Sequence, residues 1–141
     1  MSNFKRTTQS QSMRKTQGTK YEYMVANDLR KRKLPKIRIY TKEGVDIHAS
    51  NGIKWKVEVK SLKMYENIGN GKKRMGRITL KKKDLEDSDI VAMVIRDTHE
   101  IIYVKSNKIK KWLKDKGKYQ TGKSTKITIK QMKNFPRARL H

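Results

Sequence analysis

A chain of 141 residues is the size of one ordinary domain, and a second full domain would not fit. Lys and Arg number 37 against 13 Asp and Glu, a formal charge of +24, which calls for an abundant polyanionic partner, with nucleic acid the first candidate. The absence of Cys excludes a disulfide framework and a thiolate zinc site, and His48, His99 and His141 are too scattered for a His-rich centre; a hard metal with oxygen ligands stays open.

No apolar run approaches the ~20 residues that span a bilayer, and the first residues lack the apolar core of a signal peptide. The expectation is a soluble intracellular protein, cytoplasmic or nucleoid-associated, with no membrane partner. Apolar residues make up 34% and charged residues 35%, so part of the chain is expected to lie outside any core.

In chain order, residues 1–17 read as a disordered basic arm. Thr19-Lys20-Tyr21-Glu22 has the spacing of a capping box and predicts a helix to about Lys33, stopped by Pro35. Ile37 and Ile39 alternate with charges as a short strand, Val45–Ala49 reads as a second and Ile53–Leu62 as a third, with Asn51-Gly52 as a hairpin turn. Residues 64–77, with Gly69, Gly71, Gly76 and the run Lys72-Lys73-Arg74, read as a long mobile cationic loop.

Beyond it, Arg77–Leu80 is extended, Lys81–Glu86 a helical turn, and Asp89–Arg96 a strand buried on both faces at the centre of the sheet. Ile101–Val104 returns across Asp97-Thr98-His99, Ser106 caps a basic helix through Lys116, and Lys126–Ile129 is a last strand. The class is α/β, a mixed central sheet flanked by helices, with one domain over 18–130 and a basic tail over 131–141.

Among so many cations, acids embedded in regular structure carry the information. Along Trp55-Lys56-Val57-Glu58-Val59-Lys60, period two turns Trp55, Val57 and Val59 to one face and Glu58 with Lys60 to the other. By itself this is also the pattern of an ordinary charged strand face. Asp46 lies on the preceding strand, and with Glu58 and the carbonyl of Val59 it offers oxygen ligands to a divalent cation. Register tests the pairing. A two-residue turn at Asn51-Gly52 sets Asp46 opposite Val57, so the site requires one more residue in the connection, or a bulge or bend.

Glu22 shares a helical stripe with Val25, Ala26 and Leu29 and so faces the sheet, although completing the capping box with Thr19 is an alternative role. Glu43, Asp84, Glu86 and Asp87 stand in turn or helix-start contexts and read as solvated or capping.

Glu22 on a first helix, Asp46 on a hairpin strand and then Glu58-Val59-Lys60 resemble the signature of the PD-(D/E)xK nuclease superfamily, with Val45 where the motif has Pro. Gly18-Thr19-Lys20-Tyr21-Glu22 followed by that order of elements is most similar to archaeal and viral Holliday-junction resolvases, over residues 18 to about 104. The resemblance implies a restriction-endonuclease-like fold and an Mg²⁺-dependent (or Mn²⁺-dependent) endonuclease that cuts branched DNA as a homodimer. It also implies that Asp46 and Glu58 bind the metal, that Glu22 joins its shell or orients its water, and that Lys60 orients or deprotonates the attacking water and offsets charge on the phosphorane. For Lys60 the orienting and electrostatic role is favoured, because the carboxylates oppose its deprotonation. Chemically this is coherent, because an anionic phosphodiester repels hydroxide and a metal both acidifies water and stabilises the in-line transition state.

Arg14, Lys15, Lys42, Lys63, Lys72, Lys73, Arg74 and Arg77 flank the proposed site and would follow a DNA backbone. Residues 117–124 match the phosphate-loop pattern GxxxxGK[ST], but a lysine-rich helix precedes them and an extended segment follows, the reverse of what that loop needs, so no nucleotide cofactor is expected. Two rivals remain: a restriction-like or homing-type endonuclease on duplex DNA, and a non-catalytic basic nucleic-acid-binding protein.

Overall fold

The computed structural model describes residues 20–32, 34, 36–39, 47–50 and 54–140. Helix α1 (20–31) leads into three strands, β1 (Lys36–Ile39), β2 (Ile47–Ser50) and β3 (Lys54–Leu62). Next come β4 (Tyr65–Gly69), β5 (Lys72–Met75), β6 (Arg77–Lys81) and α2 (Lys82–Asp87). The chain finishes with β7 (Ile90–Ile95), β8 (Ile101–Lys105), α3 (Ser106–Asp115), β9 (Ser124–Thr128) and α4 (Ile129–Asn134).

Five strands form one sheet in the order β1-β2-β3-β7-β8; β3 and β7 run parallel and the other neighbours antiparallel, so the sheet is mixed, as expected. All six residues of β7 are buried, because alternate side chains feed a core on each face. Ile90, Ala92 and Val94 pack with Val25, Ala26 and Leu29 of α1 in the first core. Val91, Met93 and Ile95 pack in the second with Leu85, Ile109, Leu113 and Met132 from α2, α3 and α4. Each Val, Leu, Ile or Met among these contributes about 1.5–3 kcal/mol by leaving water, and each Ala less. β7 is thus interior, although the middle of the five is β3.

The stripe read on α1 is the one it buries, and its far end is tied to β8: Tyr103 donates its hydroxyl to Asp28 at 2.7 Å. Burial, and then that hydrogen bond, push the Tyr103 phenol well above its ordinary range.

Three segments differ from expectation. Residues 64–77 are not a loop: β4 and β5 pair as an antiparallel hairpin, Tyr65↔Met75 to Gly69↔Lys72. Its turn runs through Gly69, Asn70 and Gly71, all at positive φ (98°, 52° and 70°), a conformation that Gly and Asn adopt most readily. Ser106 is not the cap of α3 but its first residue, fully buried, its hydroxyl 2.7 Å from that of Ser88. Finally, Ile129 does not extend the last strand. Thr128 and Gln131 make a capping box that starts α4, and residues 131–140, read as a tail, continue the fold: Met132, Ala138 and Leu140 are buried, and Ala138 donates its amide to the Tyr103 carbonyl.

Beside the main sheet, β6 and β9 form an antiparallel ribbon. Gly76, the residue before β6, donates its amide to the Met64 carbonyl at 2.8 Å. Gly76 lies so close to the end of β3 that a Cβ there would sit 1.8 Å from the Lys63 carbonyl oxygen.

Candidate active site

Period two along β3 places its acid and amine. Val57 turns into the first core, while Glu58 and Lys60 stand level with Val91 and Met93 of β7, on the side of the second core. Glu58 is 6% exposed, and among the described residues it is the one charged side chain in the buried class. Lys60 Nζ lies 3.7 Å from Glu58 Oε2 and 3.7 Å from Asp84 Oδ2. These separations are those of ion pairs rather than short hydrogen bonds. A carboxylate taken out of water costs several kcal/mol, and the adjacent ammonium offsets that cost.

Asp84 comes from the first turn of α2, where its Oδ2 accepts the Lys81 amide at 2.8 Å, so the capping role read for it holds. Its approach to Lys60 was missed. The same turn is fastened from behind: Ser88 donates its hydroxyl to the Asp84 carbonyl at 2.6 Å and meets buried Ser106. The available signal was topological, since α2 returns the chain from β6 to β7, the strand beside β3.

The β2–β3 ladder runs from Ser50↔Lys54 to Ile47↔Val57, leaving three residues, 51–53, between the paired ends. This is the longer connection that the site requires. Asp46 itself lies outside the described residues, as do Arg14, Lys15, Lys42, Glu43, Thr19 of the capping box and the Asn51-Gly52 turn. Glu22 is half-buried on α1, a helix that packs on the first-core face, whereas Glu58 and Lys60 project on the opposite face. Val59 is half-buried and packs against the first core. Among the described residues, no group of three or more His, Asp or Glu is placed to hold a metal ion.

Of the candidate DNA-binding cations, Lys63, Lys72 and Lys73 are exposed. Arg74 and Arg77 converge on Glu66, their Nε atoms 2.5 and 3.3 Å from its Oε1. The hydrogen bond from Arg74, helped by both positive charges, holds the Glu66 carboxyl below the ordinary carboxylate range. A cleft of about 250 Å³ opens between Lys63, Arg77 and Arg96 at the end of β3. Around 117–124 the elements are a helix before and a strand after, the order read from the sequence. No helix among the described residues is long and apolar enough to cross a membrane.

Compared with protein-family models, with curated proteins and with solved structures, the chain matches none.

Proposed function

We propose that the protein is a metal-dependent endonuclease that hydrolyses DNA phosphodiesters, a member of the PD-(D/E)xK superfamily whose preferred substrate is the four-way junction and whose working form is a homodimer. The observation that carries this reading is Glu58, a carboxylate almost fully buried on an interior strand with Lys60 beside it on the same face. Stability alone is a poor reason to keep a charge there, because an apolar side chain of similar volume serves a sheet as well or better.

The order of elements, a helix, three antiparallel strands, a connection carrying α2 and a parallel strand, supports a restriction-endonuclease-like fold. So does the three-residue connection, since the β2–β3 register continued by one pair would set Asp46 level with Glu58 on one face.

The donor chemistry fits Mg²⁺ or Mn²⁺. Such an ion takes one or two carboxylates and completes its shell with waters and substrate phosphates rather than with an all-protein cage. Asp46, Glu58 and the Val59 carbonyl would hold it; Glu22, on the α1 side of the sheet, faces away from Glu58 and drops out of the metal shell. When bound, it would lower the pKa of a water and take up charge on the phosphoryl oxygens. Glu58 supplies the negative charge that draws a cation to a surface otherwise hostile to one. Lys60 carries three donors and no acceptor, so its task is to orient the attacking water and offset charge on the phosphorane. Asp84, within 3.7 Å, acts through Lys60 by fixing where its ammonium sits.

The test is nicking of a four-way junction beside a linear duplex, in Mg²⁺ and in EDTA, by the wild type and Glu58→Gln. The expected result is cutting only with metal and faster on the junction. Glu58→Gln should lose roughly a hundredfold or more of the rate with DNA affinity unchanged or raised, because an anion facing phosphate has gone. Equal cutting of both substrates points to a restriction-like or homing-type enzyme. One observation favours the non-catalytic nucleic-acid binder instead: Lys60 between Glu58 and Asp84 is an ion-pair network complete without a metal. Absence of cutting in Mg²⁺ and Mn²⁺ alike, with salt-dependent DNA binding retained, would support that reading and overturn the nuclease.

A further inference from the structure

The inner face of the β6–β9 ribbon, Ile78, Leu80 and Ile127, closes the second core. The alternate side chains go outward, in the cross-strand pairs Arg77↔Thr128, Thr79↔Lys126 and Lys81↔Ser124. This outer face therefore carries three cations, three hydroxyls and no acid. Arg77 is paired with Glu66 and the Thr128 hydroxyl caps α4, which leaves Thr79, Lys81, Ser124 and Lys126, all exposed, open to a ligand. Lys81 and Lys126 are diagonal neighbours, about 7–8 Å apart by sheet geometry, with no acid between them to offset their mutual repulsion. A purely structural ribbon gains nothing from that arrangement; a surface for a polyanion does. The row of cations continues through Lys83 and Lys123, which line a cleft of about 520 Å³ between α2 and the segment before β9. Its acids are Glu86 and Asp87, and Glu86 is engaged by Lys82 at 3.6 Å and by the Tyr119 hydroxyl at 3.0 Å.

We infer that the outer face of the β6–β9 ribbon docks the phosphate backbone of duplex DNA. Ammonium and hydroxyl groups are donors suited to phosphate oxygens, and the +24 charge of the chain selects a polyanion as occupant. The face has no Asn or Gln, and its Arg77 is turned to Glu66, so it holds the backbone without reading base edges. Position adds to this. β6 runs straight into α2, where Asp84 receives the Lys81 amide on one side and lies 3.7 Å from Lys60 on the other. A duplex laid along the ribbon is thereby led to the site where cutting is proposed; the choice of DNA over other polyanions rests on that reading.

The experiment is fluorescence anisotropy of a labelled linear duplex titrated with full-length protein in EDTA, across a series of NaCl concentrations. Lys81→Ala/Lys126→Ala is compared with Lys108→Ala/Lys111→Ala, a charge-matched pair exposed on α3. The ribbon variant should bind about tenfold or more weakly near 0.1 M salt, with the log-log salt slope reduced by roughly 0.9 per lysine, and the α3 variant should change much less. Thr79→Glu, which sets an acid in the middle of the face, should weaken binding similarly, and thermal melts of each variant verify its fold.

An unchanged slope in the ribbon variant, or an equal loss in both lysine pairs, overturns the assignment. Tighter binding of wild type to duplex RNA, or a loss seen on phosphatidylserine vesicles but not on DNA, overturns it as well. Because the assay needs no metal and no cutting, it stands apart from the junction assay: either can fail while the other succeeds.

Discussion

Gly76 has the least room of any glycine in the described chain. With a Cβ only 1.8 Å from the Lys63 carbonyl oxygen, no rotamer relieves the overlap, and either β3 or β6 must move. Gly76→Ala should therefore destabilise the protein by about 1–3 kcal/mol, read as a lower urea midpoint, whereas Gly71→Ser at the open hairpin tip meets no neighbour and is strained only by its positive φ. The same scale shows what was readable in the candidate site. Glu58 and Lys60 follow from period two alone, a property of the strand itself. Asp84 does not, because it reaches Lys60 from a helix 24 positions away, through a ribbon whose pairing partner β9 comes much later in the chain.

Elements held by polar pairs behave differently from those held by cores. The β4–β5 hairpin buries none of its strand residues, and Glu66 with Arg74 and Arg77 is the charged cluster that joins it to the start of β6. Since the folded protein holds the Glu66 carboxyl below its ordinary value of 4.5, the hairpin gains stability above that value and loses it as pH falls through the lowered one. The protection of the β4–β5 amides, exchange rates being divided by their intrinsic pH-dependent values, should stay constant from pH 7 to about 5 and fall below about 4 relative to buried β7 amides, and Glu66→Gln should remove that dependence. Because this hairpin buries no face, and its exposed Tyr65, Ile68 and Met75 do not alternate with polar residues, hydrophobic periodicity gave no sign of it; only the turn residues Gly69-Asn70-Gly71 did. The start of α4 was hidden for the opposite reason. Ile127 and Ile129 look like one alternating strand, while Thr128 and Gln131 end that strand and open a helix between them.

For the whole molecule, a formal +24 spread over one domain is self-repulsive, and only a few ion pairs oppose it among the described residues. Raising NaCl from about 0.05 to 0.5 M, which shortens the screening length several-fold, should raise the Tm by a few degrees while DNA affinity falls steeply. A falling Tm in scanning fluorimetry would mean that attractive pairs outweigh the repulsion. The layered architecture itself was readable, because β7 and β8 carry the densest apolar runs, β3 alternates apolar and charged residues, and α1 has the clearest helical stripe. The β2–β3 and β7–β8 hairpins were readable from their turns, but the parallel β3–β7 contact was not, since it is chosen by the packing of α1 on one side and α2–α4 on the other.

The placing of Ala138 and Leu140 in the first core has a consequence for synthesis. A nascent chain grown to residue 130 already holds all five strands of the main sheet, yet it lacks Ala138 and Leu140, the described residues that cover the layer near Tyr103, to which the Ala138 amide is bonded. Final closure must wait until residue 140 has left the ribosome, and during that interval an apolar surface stands open to chaperones.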